Sequence, residues 1–343
     1  MRKLIIALTI VIALVLSGML IFASGEGKEK KETLTIGVVI PYEGGWFTAF
    51  HAGYALVAEG QGHEIVWAYH NYSAEDETTA IQNLLARGVD AINVTSVSPE
   101  SAEYSCRLAN EEEVPIQITE SGGFAKGGGQ PFADIDFNWF DVYHTVADGL
   151  RNDVAGDLEV VWLQGFLGTP PVIQGIQGFE ERIAQLDNIK LATDVQDGQY
   201  ATAPSLAIAK ALVQSGLEFN VAIGACQEIT DGIIQALNEE NVPRKDVVVV
   251  SVNGGPIDIQ NFKNGTLDYC LSLSPGLHGM INAANLLAYM NGETYQVHSY
   301  SPVIWTSKDD WEEKLIPWDV DEDWMPVVDE FVKTGEYKPE LKM

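Results

Sequence analysis

Apolar and polar residues along this 343-residue chain fall into a repeating two-beat pattern. A short β-branched run such as Leu34-Thr35-Ile36-Gly37-Val38-Val39-Ile40 is followed by a stretch with apolar residues at helical spacing, as in Ala80-Ile81, Leu84-Leu85 and Val89. The first kind reads as a strand buried on both faces, the second as an amphipathic helix. The pattern predicts strands over 34–40, 64–69, 91–95 and 115–119, with helices over 46–59, 75–87 and 99–112 between them. The second helix stops at Arg87-Gly88-Val89-Asp90, with glycine where a helix C-terminus favours a left-handed residue. The rhythm then restarts. Strands are predicted over 159–163, 190–195, 220–224, 247–252 and 268–273, and helices over 172–186, 204–214, 229–240 and 278–290. Beyond Tyr295 the pattern weakens, and only 325–333 keeps helical spacing. Strand–helix alternation of this kind means parallel sheets covered on both faces. The fold class expected is α/β, with two doubly wound parallel-sheet lobes.

A different kind of segment precedes this rhythm. Arg2 and Lys3 lead into an apolar run from Leu4 to Phe22, then Ala23-Ser24-Gly25 and a charged stretch. A basic start, an apolar run and small residues before a cut after Gly25 read as a secretory signal over 1–25. The run is also long enough to span a bilayer, so a retained anchor is the alternative. In either case the rest of the chain is expected to work outside the cytoplasm, with 26–33 as a charged leader.

Composition narrows the classes of function. A formal net charge of −29 repels phosphate backbones and anionic lipid, so no nucleic-acid partner is expected. Cys106, Cys226 and Cys270 are too few and too widely spaced for a disulfide framework or a zinc site, and Cys106 and Cys270 read as small buried residues. The six histidines show no metal spacing. Asp319-Val320-Asp321-Glu322-Asp323 hints at a calcium loop, but Trp324 stands where that turn needs glycine. No G-x-G-x-x-G, P-loop or G-x-S-x-G motif is present, so neither a cofactor nor an enzyme is expected.

In parallel sheets, ligands lie beyond the carboxyl ends of the strands. After the first strand comes Pro41-Tyr42-Glu43-Gly44-Gly45-Trp46-Phe47. Aromatic faces accept the C–H faces of sugar rings and carboxylates accept their hydroxyls, so Trp46 and Phe47 beside Glu43 suit a carbohydrate. Plain core packing is the alternative for Phe47.

These pieces, in this order, resemble a known family. Thr35-Ile36-Gly37-Val38-Val39 with Gly44-Gly45-Trp46-Phe47, then Arg87-Gly88-Val89-Asp90-Ala91-Ile92-Asn93-Val94, Val114-Pro115-Ile116-Gln117-Ile118-Thr119, Leu163-Gln164-Gly165 with Gln177-Gly178-Phe179, and Val248-Val249-Val250-Ser251-Val252-Asn253-Gly254 are similar to stretches of the periplasmic sugar-binding proteins of the ribose and galactose type, the substrate receptors of ABC importers. The resemblance runs from Thr35 to about Ile304. It implies a periplasmic binding protein type I fold, with two lobes joined by three crossing segments near 119–122, 252–255 and 273–276. The lobes would be 34–120 with 254–274 and 121–253 with 275–304. Beyond the resemblance, Trp305, Trp311, Trp318 and Trp324 read as aromatics that staple a C-terminal extension over 305–343 across both lobes, with ordinary packing as the favoured alternative.

Carried over position by position, the resemblance assigns ligand contacts to Trp46, Phe47, Glu120, Asn138, Trp139, Tyr200, Cys226, Gln227 and Asn253, to which the residue reading adds Glu43. Ser121 stands where the family has a cation, and Ile173 near where it has a pocket arginine. Loss of the arginine disfavours an acidic ligand. A neutral sugar or polyol is expected, with a small cation held by carboxylates and aromatic faces, or a nucleoside, as alternatives. Asn138 and Asn253 could instead cap helices. The expected protein is a monomeric extracytoplasmic receptor that closes on its ligand and delivers it to a membrane ABC permease or presents it to a chemoreceptor. Related ligand-responsive repressors carry a helix-turn-helix where this chain has its apolar segment.

Overall fold

The computed structural model describes residues 33–120 and 129–343, and within them two sheets organise the fold. The expected signal, leader residues 26–32 and Ser121 lie outside the described residues. The first series runs β1 (Thr35–Ile40), α1 (Gly45–Ala58), β2 (Glu64–Tyr69), α2 (Ala74–Arg87), β3 (Ala91–Thr95), α3 (Pro99–Glu111), β4 (Ile116–Thr119) and β5 (Ala133–Asp136). With β12 (His298–Tyr300) they form a parallel sheet in the order β12-β5-β4-β3-β1-β2. Ile36, Val38 and Ile40 pack into the core on one face, while Val39 joins Ile92, Val94, Ile116 and Ile118 in the core on the other. Burial on both faces is why these strands read as unbroken apolar runs. Ser73 and Ser98 cap α2 and α3 by accepting the N–H groups of Asp76 and Ser101, and Gly88 ends α2 at φ 76°.

The second series is α4 (Trp139–Asp153), β6 (Leu158–Gln164), α5 (Pro170–Ile183), β7 (Ile189–Leu191), β8 (Gln196–Asp197), α6 (Thr202–Gln214), β9 (Val221–Gly224), α7 (Gln227–Glu239), β10 (Val248–Asn253), α8 (Pro256–Lys263) and β11 (Tyr269–Ser272). Its sheet runs β13-β11-β10-β9-β6-β7, with β8 also on β6, and β13 (Ile304–Ser307) is an antiparallel edge. From β11 the chain returns to the first lobe as α9 (Pro275–Asn291), which lies against α1. There a Cβ on Gly53 would sit 1.9 Å from the Gly276 oxygen and one on Gly279 2.2 Å from the Phe50 oxygen, so glycine alone permits the approach. After β13, α10 (Trp311–Lys314) stays on the second lobe, whereas Ile316, Trp324 and α11 (Met325–Thr334) enter the core of the first.

The expected lobe boundaries need correction. Residues 254–274 belong to the second lobe, because β11 pairs with β10 (Val250↔Tyr269). Residues 133–136, 275–291 and 298–300 belong to the first, because β5 pairs with β4 and β12 with β5. Of the expected crossings, 273–276 is one and 252–255 is not, while 119–122 runs into residues outside the described ones, with β4 and β5 on either side paired in one sheet; further passes fall at 137–138, 301–303 and 315–316. A glycine or proline after a strand marks a turn, but pairing decides which sheet takes the next strand. Two acids in Ala133-Asp134-Ile135-Asp136 break the apolar run that would have marked β5. The unexpected α4 carries Val142, Val146 and Leu150 at helical spacing, all buried.

Candidate functional site

Strand ends from both lobes meet at a cavity of about 160 Å³, the order of volume that admits one benzene-sized ring. The first lobe contributes Tyr42 after β1, Trp46 and Phe47 at the start of α1, Tyr72 after β2, Thr95 at the end of β3 with Ser96 and Val97 after it, and Glu120 beyond β4. The second contributes Gln164, Thr169 to Pro171 at the start of α5, Tyr200 between β8 and α6, Ala225, Cys226 and Glu228 around the start of α7, and Asn253 at the end of β10. Trp139 and Tyr143 come from α4, and Trp318 from the C-terminal stretch.

The wall is held under backbone strain. Tyr72, Glu120, Tyr200 and Asn253 have φ of 59°, 52°, 52° and 105°. Residues in sparsely populated backbone regions cost roughly 1–3 kcal/mol each, and such strain gathers at ligand clamps. Aromatic contacts brace them: Trp46 meets Trp318 edge-on at 5.5 Å, and Tyr72 of the first lobe meets Phe166 of the second at 5.9 Å, with Phe166 against Tyr200 at 5.7 Å. The lobes therefore touch beside the cavity.

Its electrostatics are one-sided. Glu120 Oε1 accepts the Trp46 indole N–H at 3.0 Å and lies 3.7 Å from His278 Nε2. Burial pushes the His278 imidazole down to about 3, so it is neutral, its ring nitrogens each 2.7 Å from the Thr119 and Ser301 hydroxyls. Burial pushes the Glu120 carboxyl up to about 7, against the lowering effect of the Trp46 hydrogen bond. Glu228 reaches across from the second lobe, its Oε1 4.0 Å from where a Cβ on Gly45 would stand. Burial and the Glu228 charge both raise the Tyr42 hydroxyl. No Lys or Arg is among the described lining residues. Thr95 Oγ1, Trp139 Nε1 and Asn253 Oδ1 are buried without a hydrogen-bond partner among the described residues. Buried polar groups normally have one.

A family model described as a periplasmic binding protein domain matches residues 36–294. The chain belongs to that family. It is similar to the galactofuranose-binding protein YtfQ of Escherichia coli, at 24% identity over 252 residues, covering 72% of this chain and 79% of that one. It is similar at 24% identity over 253 residues to the xylitol-binding protein of Mycolicibacterium smegmatis, covering 72% of this chain and 70% of that one. Among solved structures, the binding protein of the arabinose ABC transporter from Shewanella sp. ANA-3, bound to α- and β-L-arabinofuranose, aligns with a TM-score of 0.73 at 22% identity, covering 80% of this chain and 92% of that one. At that identity the likeness is one of fold.

Of the residues expected to contact ligand in this periplasmic binding protein, Trp46, Phe47, Glu120, Trp139, Tyr200, Cys226 and Asn253 line the cavity. Glu43, Asn138 and Gln227 do not, and their expected placement is corrected. Glu43 is exposed on the turn before α1. Asn138 caps α4, its side chain accepting the Asp141 N–H. Gln227 accepts the Ile257 N–H and donates to Glu228, so it braces the wall from behind. Ile173 is exposed on α5 and away from the cavity. All three cysteines are free and buried. Tyr42, Tyr72, Thr95, Tyr143, Gln164, Glu228 and Trp318 were not expected. Tyr42, Thr95, Gln164 and Glu228 lie at or within a few residues of strand ends, where the strand-end rule points. Tyr143 rides on the unexpected helix, and Trp318 lies in the C-terminal extension expected to pack across the lobes, where only its place in the cavity was not foreseen.

Proposed function

We propose that this chain is the extracytoplasmic solute receptor of an ABC importer, closing over one neutral sugar or polyol of furanose or pentitol size. A single observation carries the reading: a ring-sized cavity at the seam of two lobes, walled by aromatic rings, with two carboxylates and no cation among its described residues. Ring C–H faces would stack on Trp46, Tyr72 and Tyr200. Hydroxyls would donate to Glu120, Glu228 and Asn253 Oδ1 and accept from Trp139 Nε1. Carboxylated or phosphorylated sugars would meet like charge in a poorly solvated site. The names of similar proteins, galactofuranose-, xylitol- and arabinose-binding, support a ligand of this kind.

Export by residues 1–25, delivery to a membrane permease and action as a monomer belong to the same proposal. No helix among the described residues is long and apolar enough to cross a membrane. A second reading, a small organic cation, is favoured by the same two carboxylates beside aromatic faces.

A thermal-shift panel of L-arabinose, D-galactose, xylitol, myo-inositol and choline, confirmed by calorimetry, tests the proposal. A ligand at a hundredfold excess over its Kd adds about 2.7 kcal/mol of stability. A shift with a sugar or polyol supports the proposal, and a shift with choline alone moves the assignment to the second reading. No shift with any probe refutes both.

A further inference from the structure

The family match ends at residue 294, yet the cavity wall includes Trp318. Trp318 stands on a stretch that makes a fourth pass between the lobes: Leu315 packs on the core of the second, and Ile316 and Trp324 pack in the core of the first. This strap is fastened to the crossing between β11 and α9. The Ile316 N–H donates to Ser272 Oγ at 2.9 Å, and Ser274 Oγ–H donates to the Pro317 oxygen at 2.5 Å. A Cβ on Gly276 would lie 2.2 Å from the Trp318 oxygen, so the strap and the crossing are in direct contact.

The Trp318 side chain does two things at once. Its indole N–H is shared between the carbonyls of Asn253 and Leu273, 3.2 Å from each, where β10 and β11 end. Asn253 holds a φ of 105°, which a non-glycine residue keeps only when its surroundings enforce it. The Trp318 ring, 7% exposed, stands edge-on to Trp46, whose own indole N–H holds Glu120. Both lobes' contributions to the cavity thus lean on one residue from outside the family match.

We infer that Trp318 is a positioning residue of the binding site, and that the C-terminal strap sets both closure of the lobes and affinity for the ligand. The inference rests on the receptor reading above. The strap ties the ends of β10 and β11, enforces the Asn253 backbone, and backs Trp46 against Glu120.

The test uses Trp318→Phe, which keeps a ring and loses the N–H, and Trp318→Ala, which loses both. Each is placed in a chain carrying spin labels at Gln82→Cys and Ala207→Cys, one exposed position per lobe; the native cysteines are buried. Interlobe distances are measured with and without saturating xylitol or L-arabinose, and affinities by calorimetry. Trp318→Phe should bind about three- to tenfold more weakly, as for one lost hydrogen bond. Trp318→Ala should bind about thirtyfold more weakly or worse, as for a buried aromatic anchor. Both should broaden the unliganded distance distribution towards opening. If Trp318→Ala does not fold, Trp318→Phe decides. Wild-type affinity and distances in the folded variants overturn the inference and leave the receptor reading intact. If wild type binds no probe, the receptor reading fails, and the strap is judged on unliganded distances alone. Identical distributions in wild type and Trp318→Phe overturn it then too.

Discussion

Replacing Glu120 with Gln should make the unliganded protein more stable and the receptor worse at binding. The Glu120 side chain is 10% exposed, and its neighbour His278 is neutral, so its charge has no counter-ion close by among the described residues. Burial raises its pKa from 4.5 to about 7. A carboxyl raised in the folded state favours folding when protonated. That contribution is complete below pH 4.5 and lost as pH rises through about 7. Each pH decade in this window is worth roughly 1.4 kcal/mol, so ionised Glu120 costs about 3 kcal/mol. Gln keeps the shape and the acceptor for the Trp46 N–H but cannot ionise. The stability of Glu120→Gln relative to wild type should therefore climb by about 3 kcal/mol across that window. Comparing the two chains cancels the titrating groups that lie away from Glu120. Ligand binding should move the other way. Hydroxyls bonded to a carboxylate are worth more than those bonded to an amide, so affinity above neutral pH should fall about tenfold. Urea unfolding followed by tryptophan fluorescence across pH, with calorimetry for the ligand, reads both quantities. Parallel stability profiles, or an unchanged affinity, would refute the view of Glu120 as a buried charge kept for the ligand.

Other outcomes follow from the same geometry. His278 has its pKa lowered by burial from 6.5 to about 3, so stability should be full above pH 6.5 and fall as pH drops towards 3; in His278→Gln, acid titration of stability should be flatter over that range. A slope unchanged by the substitution would remove His278 as its cause. Galacturonate should show no calorimetric binding under conditions where a neutral sugar binds, since its carboxylate would face Glu120 and Glu228 with no Lys or Arg among the described lining residues; comparable affinity would contradict the charge argument. Gly53→Ala should lower stability by about 3 kcal/mol or more, because the new Cβ would press within 1.9 Å of the Gly276 oxygen and force α1 from α9. An unaltered melting temperature would show that the helices part without cost.

Much of the fold is legible in the chain because burial on two faces writes itself locally. β1, β3, β6 and β10 are apolar runs, and Ser73, Ser98 and Gly88 punctuate the helices where their end groups need partners. The cavity is partly legible for a related reason: in a parallel sheet the loops after the strands share one end, which points to Trp46, while Glu120, Tyr200 and Asn253 come into view through the family resemblance. Pairing is another matter. Nothing local in β11 says that it joins β10 rather than the first sheet, and the acids of β5 hide a strand whose membership depends on β4 and β12. The chemistry of the site is equally non-local. Glu120 has a raised pKa because elements distant in sequence exclude water from it, and Trp318 reaches Asn253 across 65 residues. Periodicity records which faces of an element are buried. Which distant residue does the burying, and with what charge beside it, is settled only when the chain closes on itself.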